Sequence, residues 1–292
     1  MSASGHTPLR VWVLAGLMVF LWAVNFLVAK VALRHFPPVL LASLRLTVAG
    51  AAVIPVYLWR RTRPLERAGL ARLIAIGVLG VAMNQVFFTL GIGKTSVAHA
   101  ALIIALGPAF AFLLSAAFGL EPFTLRKAAG LAVAFTGVAL LQRAPDAARV
   151  ATPLGDLLIF LAAFTFSAFA VASKSIRARF DGLTMTTATY VASALMLLPV
   201  TAWYSRSFSY SSVSLTGWAA LAYMALVSSL FCYAIFYHAM RYITVTRLSA
   251  FSYLQPLFAT GLAVPLLGES LTSSLAGGGA LVLFGVFLTE RS

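Results

Sequence analysis

Long apolar stretches alternate with short polar connections along the whole of this chain. Each stretch is about 20 residues long, the length that an α-helix needs to cross a hydrocarbon core of roughly 30 Å. We therefore predict ten transmembrane helices, called spans one to ten here. They lie near residues 11–30, 38–59, 70–92, 95–118, 125–142, 154–175, 182–203, 215–240, 245–266 and 272–289. The connections are too short to hold a soluble catalytic or nucleotide-binding domain.

The two halves of the chain carry the same order of spans and of rare residues. At an offset of 144 residues Lys30, Pro55 and Trp59 meet Lys174, Pro199 and Trp203, and at an offset of 148 Pro108 and Glu121 meet Pro256 and Glu269. A repeat with an odd number of spans inserts its second copy upside down, which is the plan of many transporters. We predict an all-α polytopic membrane protein with ten helices in two inverted five-helix repeats around a central cavity. The repeats are residues 1–143 and 154–292, with 144–153 as the connecting loop.

Composition agrees with a lipid environment, because 61% of the residues are hydrophobic and only 10% are charged. A net charge of +14 would suggest nucleic-acid binding in a soluble protein. In a membrane protein it matters where the positive residues lie. One set of alternate loops carries 14 Lys and Arg residues and the other set carries 6. This bias predicts a multi-pass protein of the plasma (inner) membrane with both termini in the cytoplasm, in contact with lipid and not with nucleic acid.

The residues that enzymes use are scarce and scattered. A single cysteine, Cys232, excludes an internal disulfide and a cysteine-clustered metal site. The seven acidic residues all fall at or near the predicted ends of spans, so no pair of carboxylates meets at membrane depth. We therefore predict that the protein is not an enzyme, holds no metal and uses no cofactor.

Two prolines fall at the predicted middle of spans four and nine. Proline removes a backbone hydrogen bond, so Pro108 and Pro256 would free the carbonyls of Ile104 and Ser252. A free carbonyl at membrane depth must face protein or a water-filled cavity. We interpret both prolines as positions of a helix kink or of gating, beside the predicted cavity.

Polar and aromatic residues within the spans indicate which faces look inward. Those on one helical face, or at matching depth, form the predicted substrate-binding set. Its members are Trp22, Asn25, Met83, Asn84, Phe87, His99, Phe166, Ser229, Tyr233, Tyr237, Ser252 and Tyr253. Such a cavity is polar on one side and apolar on the other, which suits a small amphipathic solute. Two alternatives stay open: Ser and Asn bond neighbouring helices, and His99 is bonded at the membrane interface.

Arg45 lies about two turns inside span two, where a charge is expensive. Either its side chain reaches back to the interface or it has a function in the protein. Spans five and ten are rich in Gly and Ala and poor in polar residues, which favours close helix packing. The packing partner is either within the chain or in a second copy, so both a monomer and a homodimer stay open.

Three stretches resemble the duplicated pattern of the EamA family, in the drug/metabolite transporter superfamily. They are Leu21–Phe26, Ala105–Pro108 with Gly119–Thr124, and Leu254–Pro256 with Leu267–Thr272. The resemblance implies inverted repeats, alternating access and export of amino acids, aromatic metabolites or other small solutes.

We therefore expect a secondary or facilitative transporter that exports small amphipathic metabolites, with amino acids, including aromatic ones, as the first choice. The alternatives are an exporter of other metabolites or drugs and a membrane scaffold without transport.

Overall fold

The protein is helical throughout the residues that the computed structural model describes, which are 8–61, 68–119, 124–141, 151–176, 179–243, 248, 251–269 and 271–290. Ten helices follow one another in these ranges. They are α1 Leu9–Ala32, α2 Pro38–Arg60, α3 Leu70–Ile92, α4 Val97–Ala117, α5 Leu125–Leu141, α6 Pro153–Ile176, α7 Gly182–Ser205, α8 Leu215–Ala239, α9 Leu254–Leu267 and α10 Ser273–Glu290. Nine of them agree with the predicted spans to within a few residues. The exception is α9, which is preceded by a 3₁₀ turn at Phe251–Tyr253. Residues 244–247 and 249–250, in the first part of predicted span nine, lie outside the described residues.

Within the described ranges, seven helices are long and apolar enough to cross a membrane by length and composition: α1 to α4 and α6 to α8. Helix α9 has only 14 residues, a rise of about 21 Å, and α5 has 17. Large apolar side chains such as Leu79, Leu195 and Leu257 are exposed, as expected of surfaces that face lipid. The chain is an all-α polytopic membrane protein, and transmembrane placement of α5, α9 and α10 stays a prediction.

Four helices are interrupted near their middle or beginning, at matching places in the two halves. Helices α3 and α8 contain π-helical turns at Val78–Ala82 and Tyr223–Phe231. Helix α4 is broken between Ile104 and Gly107, and a 3₁₀ turn at Phe251–Tyr253 precedes α9. Irregular backbone of this kind is frequent at functional sites.

The two central prolines differ from the prediction of continuous, kinked helices. Pro108 lies in the first turn of the second part of α4, where a missing N–H costs no intrahelical hydrogen bond. Pro256 is the third residue of α9. The Ser167 hydroxyl of α6 donates to the carbonyl of Gly107 at 3.0 Å. The structure therefore has helix starts where the sequence predicted kinks.

Helices of the first half pack mainly on helices of the second half. Helix α2 packs along α7 and α5 along α10, so equivalent helices meet. Helix α1 packs on α8 and α9, and its equivalent α6 packs on α3 and α4. The same contacts thus occur twice with the partners exchanged. The largest buried cluster contains residues of both halves, so they share one core.

Hydrogen bonds fix which ends of the helices meet. In the last turn of α1, Lys30 Nζ donates to the carbonyl of Thr95 at 2.6 Å, two residues before α4 begins. Glu269, just after α9, accepts from the backbone N–H groups of Val97 and Ala98 at 2.7 and 3.1 Å. The C-terminal ends of α1 and α9 therefore lie beside the N-terminal end of α4.

Small residues bring α5 and α10 together, as predicted for packing elements. A methyl group added to Gly137 would come within 2.7 Å of the carbonyl of Gly278. A methyl group on Gly285 would meet the backbone of Ala134, which is fully buried. The packing partner of these two helices is thus within the chain.

Candidate substrate site

A central cavity lies where both halves of the chain meet. Its empty space, together with the open space at its mouth, is about 940 Å³. Side chains from α1, α2, α3, α4, α6, α8 and α9 line it, together with Leu248. Most of the lining is apolar and a smaller part is polar, as in binding sites for amphipathic molecules.

Aromatic rings form one wall of the cavity. The indole of Trp22 stands edge-to-face to Phe166 at 5.8 Å and to Tyr233 at 6.0 Å between ring centroids. Its Nε1 donates to the carbonyl of Ser228 at 3.0 Å. This bond fixes the indole orientation, so that the wall is formed before any solute binds.

Two asparagines line the cavity with different bonding. Asn84 Nδ2 donates to the carbonyl of Ala162 at 2.8 Å and so joins α3 to α6. Asn25 is only 5% exposed, and its Oδ1 accepts no hydrogen bond from the described residues. A buried acceptor without a donor costs about 1–3 kcal/mol. Asn84 thus serves partly as the predicted link between helices, whereas the Asn25 carbonyl is free for a solute or water.

Arg45 lines the same cavity from α2 and is 1% exposed. Its Nε donates to the carbonyl of Met224 at 3.1 Å and to Ser229 Oγ at 3.0 Å, and its Nη2 donates to Ser228 Oγ at 3.0 Å. Its Nη1 has no hydrogen-bond partner within the described ranges. The side chain therefore points into the protein and does not reach back to the interface.

The twelve predicted substrate-binding residues and the two prolines fall partly inside and partly outside the lining of the cavity. Those in the lining are Trp22, Asn25, Asn84, Phe166, Tyr233 and Pro108. Those outside the lining are Met83, Phe87, His99, Ser229, Tyr237, Tyr253 and Pro256. Ser229 nevertheless touches the cavity through its bond to Arg45, and Tyr253 packs on the cluster around Phe110. The side chain of Ser252 lies outside the described part of the structure.

His99 belongs to a cluster of polar residues where helix ends meet. Its Nδ1 lies 3.0 Å from Asp156 Oδ2, and both side chains are buried. Asp156, in the first turn of α6, also accepts from the Thr95 hydroxyl. We call Lys30, Thr95, His99, Asp156 and Glu269 the helix-end cluster. His99 is thus bonded to a carboxylate and does not line the central cavity.

Tyr237 lines a second pocket between α2, α7 and α8, together with Asp181, His238 and Arg241. Asp181 precedes α7 and accepts from the backbone N–H groups of Leu183 and Thr184. Burial acts to raise the pKa of Asp181, but these bonds and that from the Thr184 hydroxyl outweigh it and lower the pKa. This carboxylate therefore serves as a helix cap.

Sequence reasoning missed several polar residues of the cavity: Gln85, Ser167, Ser228 and Gln255. Gln85 and Gln255 are each 4% exposed, and both are amides within apolar stretches. Gln85 adjoins Asn84, and Gln255 immediately precedes Pro256. A buried amide beside a predicted site residue was therefore a usable signal. The serines offered none, since serine is common in membrane helices.

The side chains at the cavity are suited to binding a small solute. The described residues contain no group of His, Cys, Asp and Glu side chains that would hold a metal ion. The groups at the cavity are amides, hydroxyls, aromatic rings and one guanidinium. These groups orient a small solute by hydrogen bonds and apolar contact.

A "probable terminal-alkyne amino-acid exporter" of Streptantibioticus cattleyicolor is 30% identical over 96% of this chain and 93% of its own length. A "probable amino-acid metabolite efflux pump" of Salmonella typhimurium is 29% identical over 94% and 93%. An "uncharacterized transporter" of Archaeoglobus fulgidus is 28% identical over 97% and 99%.

A solved crystal structure shares the fold, with a TM-score of 0.65 at 22% identity over 94% of each chain. The model of the EamA-like transporter family matches twice, over residues 10–143 and 153–291. Together these two matches cover nearly the whole sequence. The chain belongs to the EamA-like transporter family.

Proposed function

We propose that the protein exports small amphipathic metabolites, above all amino acids including aromatic ones, as a secondary or facilitative transporter. The observation that carries this proposal is the central cavity, which both halves of the chain line. It combines an aromatic wall around Trp22 with a free acceptor at Asn25 Oδ1. Aromatic and apolar side chains fit such a wall, and an ammonium group fits the acceptor. The names of two relatives refer to amino-acid export.

We infer further that transport proceeds by alternating access of two inverted repeats. Equivalent helices run in opposite directions, which supports the inversion: α4 begins where its equivalent α9 ends, at Glu269. Likewise α1 ends at Lys30, close to Asp156 at the beginning of α6, with Thr95 bonded to both. Transporters with inverted repeats expose a fixed midplane site by rocking one part against the other.

The helix-end cluster supports the proposal that the cavity is closed at one of its two ends. It joins α1, α4, α6 and α9, four helices that also line the cavity. In the predicted topology the cluster lies at the outer face. The lining extends along α1 from Phe26 to Met18, away from the cluster. In this proposal the cluster opens when solute is released outside the cell.

Efflux from proteoliposomes tests the proposed function. Liposomes with purified protein are loaded with a mixture of the twenty standard amino acids, and the solutes that leave are measured with and without a pH gradient. We expect amino acids with apolar or aromatic side chains to leave faster than from protein-free liposomes, and a dependence on the gradient would identify proton coupling.

Asn25→Ala tests the site itself, since it should slow this efflux about 10-fold with no change in expression. Thr136→Ala is the matched control, because Thr136 bonds only its own helix at the exposed face of α5. The proposal fails if no amino acid leaves faster through the protein, and the site assignment fails if Asn25→Ala transports like the wild type.

A further inference from the structure

Arg45 is a buried cation without a counter-ion in the part of the chain that the structure describes. The ion pair found in that part, His99 with Asp156, belongs to the helix-end cluster. All seven acidic residues lie near predicted span ends in the sequence, far from the second turn of span two. An ionisable side chain at this depth is costly, and it marks a functional site by default.

We propose that Arg45 is the carboxylate-binding residue of the central cavity, and that the transported solute is a small molecule with a single carboxylate. The solute would supply the missing counter-ion when it binds. This inference rests on the proposed function, since it names the chemical group by which the same cavity recognises its solute.

Within the described ranges, the hydrogen bonds of the guanidinium leave its Nη1 unpaired. Nε and Nη2 are occupied by Met224, Ser228 and Ser229. The two N–H groups of Nη1 have no partner among the described residues. Arginine presents its donors in a planar fork that matches the two oxygens of a carboxylate. A carboxylate at Nη1 would satisfy both the unpaired donors and the unpaired charge.

The π-helical turn of α8 holds the fork in position. Ser228 and Ser229 both lie in this turn, and the Ser229 hydroxyl donates to the carbonyl of Met224 at 2.9 Å. Arg45 thus has three bonds to one short segment. A guanidinium fixed by its neighbours is preorganised for a ligand, because little of its freedom is lost on binding.

The other half of the chain offers an internal control for this argument. The residue equivalent to Arg45 at the offset of 144 is Thr189 in α7. Thr189 is fully buried against Gly77 of α3, and its hydroxyl donates to the carbonyl of Met185 in its own helix. The same helix interface therefore forms without a charge, so packing does not require Arg45.

A single positive charge limits the charge of the solute. Arg45 is the one Lys or Arg in the cavity lining that the structure describes. A phosphate or a dicarboxylate would leave negative charge without a partner in an otherwise apolar site, which is unfavourable. One carboxylate balances one guanidinium. A zwitterionic amino acid meets this condition, with its ammonium group at the free Asn25 acceptor.

The test compares matched acids and amides, which differ in the carboxylate but hardly in size. Purified protein is titrated with L-phenylalanine and L-phenylalaninamide, L-leucine and L-leucinamide, and 3-phenylpropionate and 3-phenylpropanamide, and binding is followed by thermal stabilisation. For at least one pair we expect the acid to bind roughly 10-fold or more tightly than the amide. The variant Arg45→Gln should lose this preference, and Arg45→Lys should keep part of it.

The control is Thr189→Val at the equivalent position outside the cavity, which should keep the wild-type preference. If Arg45→Gln fails to fold, the inference is tested by the preference of the wild type for acids over amides and by the Arg45→Lys titration. Amides that bind as well as acids, or an undiminished preference in a folded Arg45→Gln protein, would overturn the inference while leaving amino-acid transport intact. If no member of the panel binds and none is exported, both the inference and the proposed function are wrong.

Discussion

Two equivalent helix interfaces carry different chemistry. Helix α2 contacts the π-helical turn of α8, and α7 contacts the π-helical turn of α3. The first interface contains Arg45 with three bonds to α8. The second has Thr189 in that position, bonded within α7 and packed on Gly77. The backbone arrangement is shared, so the charge is an addition that the scaffold does not need.

The difference indicates that the buried charge of Arg45 lowers the stability of the protein and is kept for function. A buried charge without a partner costs several kcal/mol even after relaxation. The serines of the α8 turn reduce that cost but do not remove the charge. A protein that keeps such a residue in a cavity has a less stable empty state than it would with an apolar side chain there.

The largest effect should come from placing the charge in the other half. Thr189→Arg puts a guanidinium against Gly77, where the close approach of α3 and α7 leaves no room for it. We expect a loss of about 3–5 kcal/mol in the free energy of unfolding. A fall in melting temperature and in yield of folded protein would show this. A Thr189→Arg protein as stable as the wild type would mean that the two interfaces are not comparable.

Removing the charge from the first half should separate stability from transport. Arg45→Met keeps an unbranched side chain but deletes a buried charge that has no counter-ion among the described residues, and such a charge is costly. We expect an unchanged or higher melting temperature together with a loss of about 10- to 100-fold in transport. A protein that melts several degrees lower and transports normally would make Arg45 a structural residue.

Loosening the guanidinium should have a smaller effect. Ser228→Ala removes the acceptor of Nη2 but keeps the charge in the cavity. A hydrogen bond to a charged group contributes about 1.5–3 kcal/mol, and neighbouring bonds to Ser229 and Met224 remain. We expect affinity for acids to fall about 10-fold, measured by thermal stabilisation, while affinity for amides stays the same. Equal losses for acids and amides would contradict a role through Arg45.

The smallest effect should be that of Thr189→Val. This change deletes a hydroxyl that bonds carbonyls of its own helix, Met185 and Thr186. Such bonds add little to stability. We expect a change of less than about 1 kcal/mol in the free energy of unfolding and wild-type transport. A marked transport defect would show that α7 takes part in solute binding.

The helices were largely readable from the sequence, because about 20 apolar residues in a row leave few alternatives to a membrane helix. The 3₁₀ turn before Leu254 could not be predicted, because the apolar run continues through it. Apolar composition sets where a segment is buried, whereas the break depends on local hydrogen bonds.

The site was readable in part. Trp22, Asn25, Asn84 and Phe166 stand out as polar or aromatic residues within apolar spans, and all four line the cavity. The sequence indicates that the charge of Arg45 is energetically unfavourable at its depth, but it does not show that Arg45 lines the cavity. Its partner Ser228 is 183 residues away in sequence, and no periodicity within one helix reveals which distant helix it meets. Contacts between the halves are the part that required the structure.

The most direct test is an experimental structure of the protein with the most strongly stabilising monocarboxylate of the panel bound. The account predicts the carboxylate within about 3 Å of Arg45 Nη1 and the apolar part of the solute against Trp22 and Phe166. A solute bound elsewhere, or bound in the cavity with its carboxylate turned away from Arg45, would contradict it.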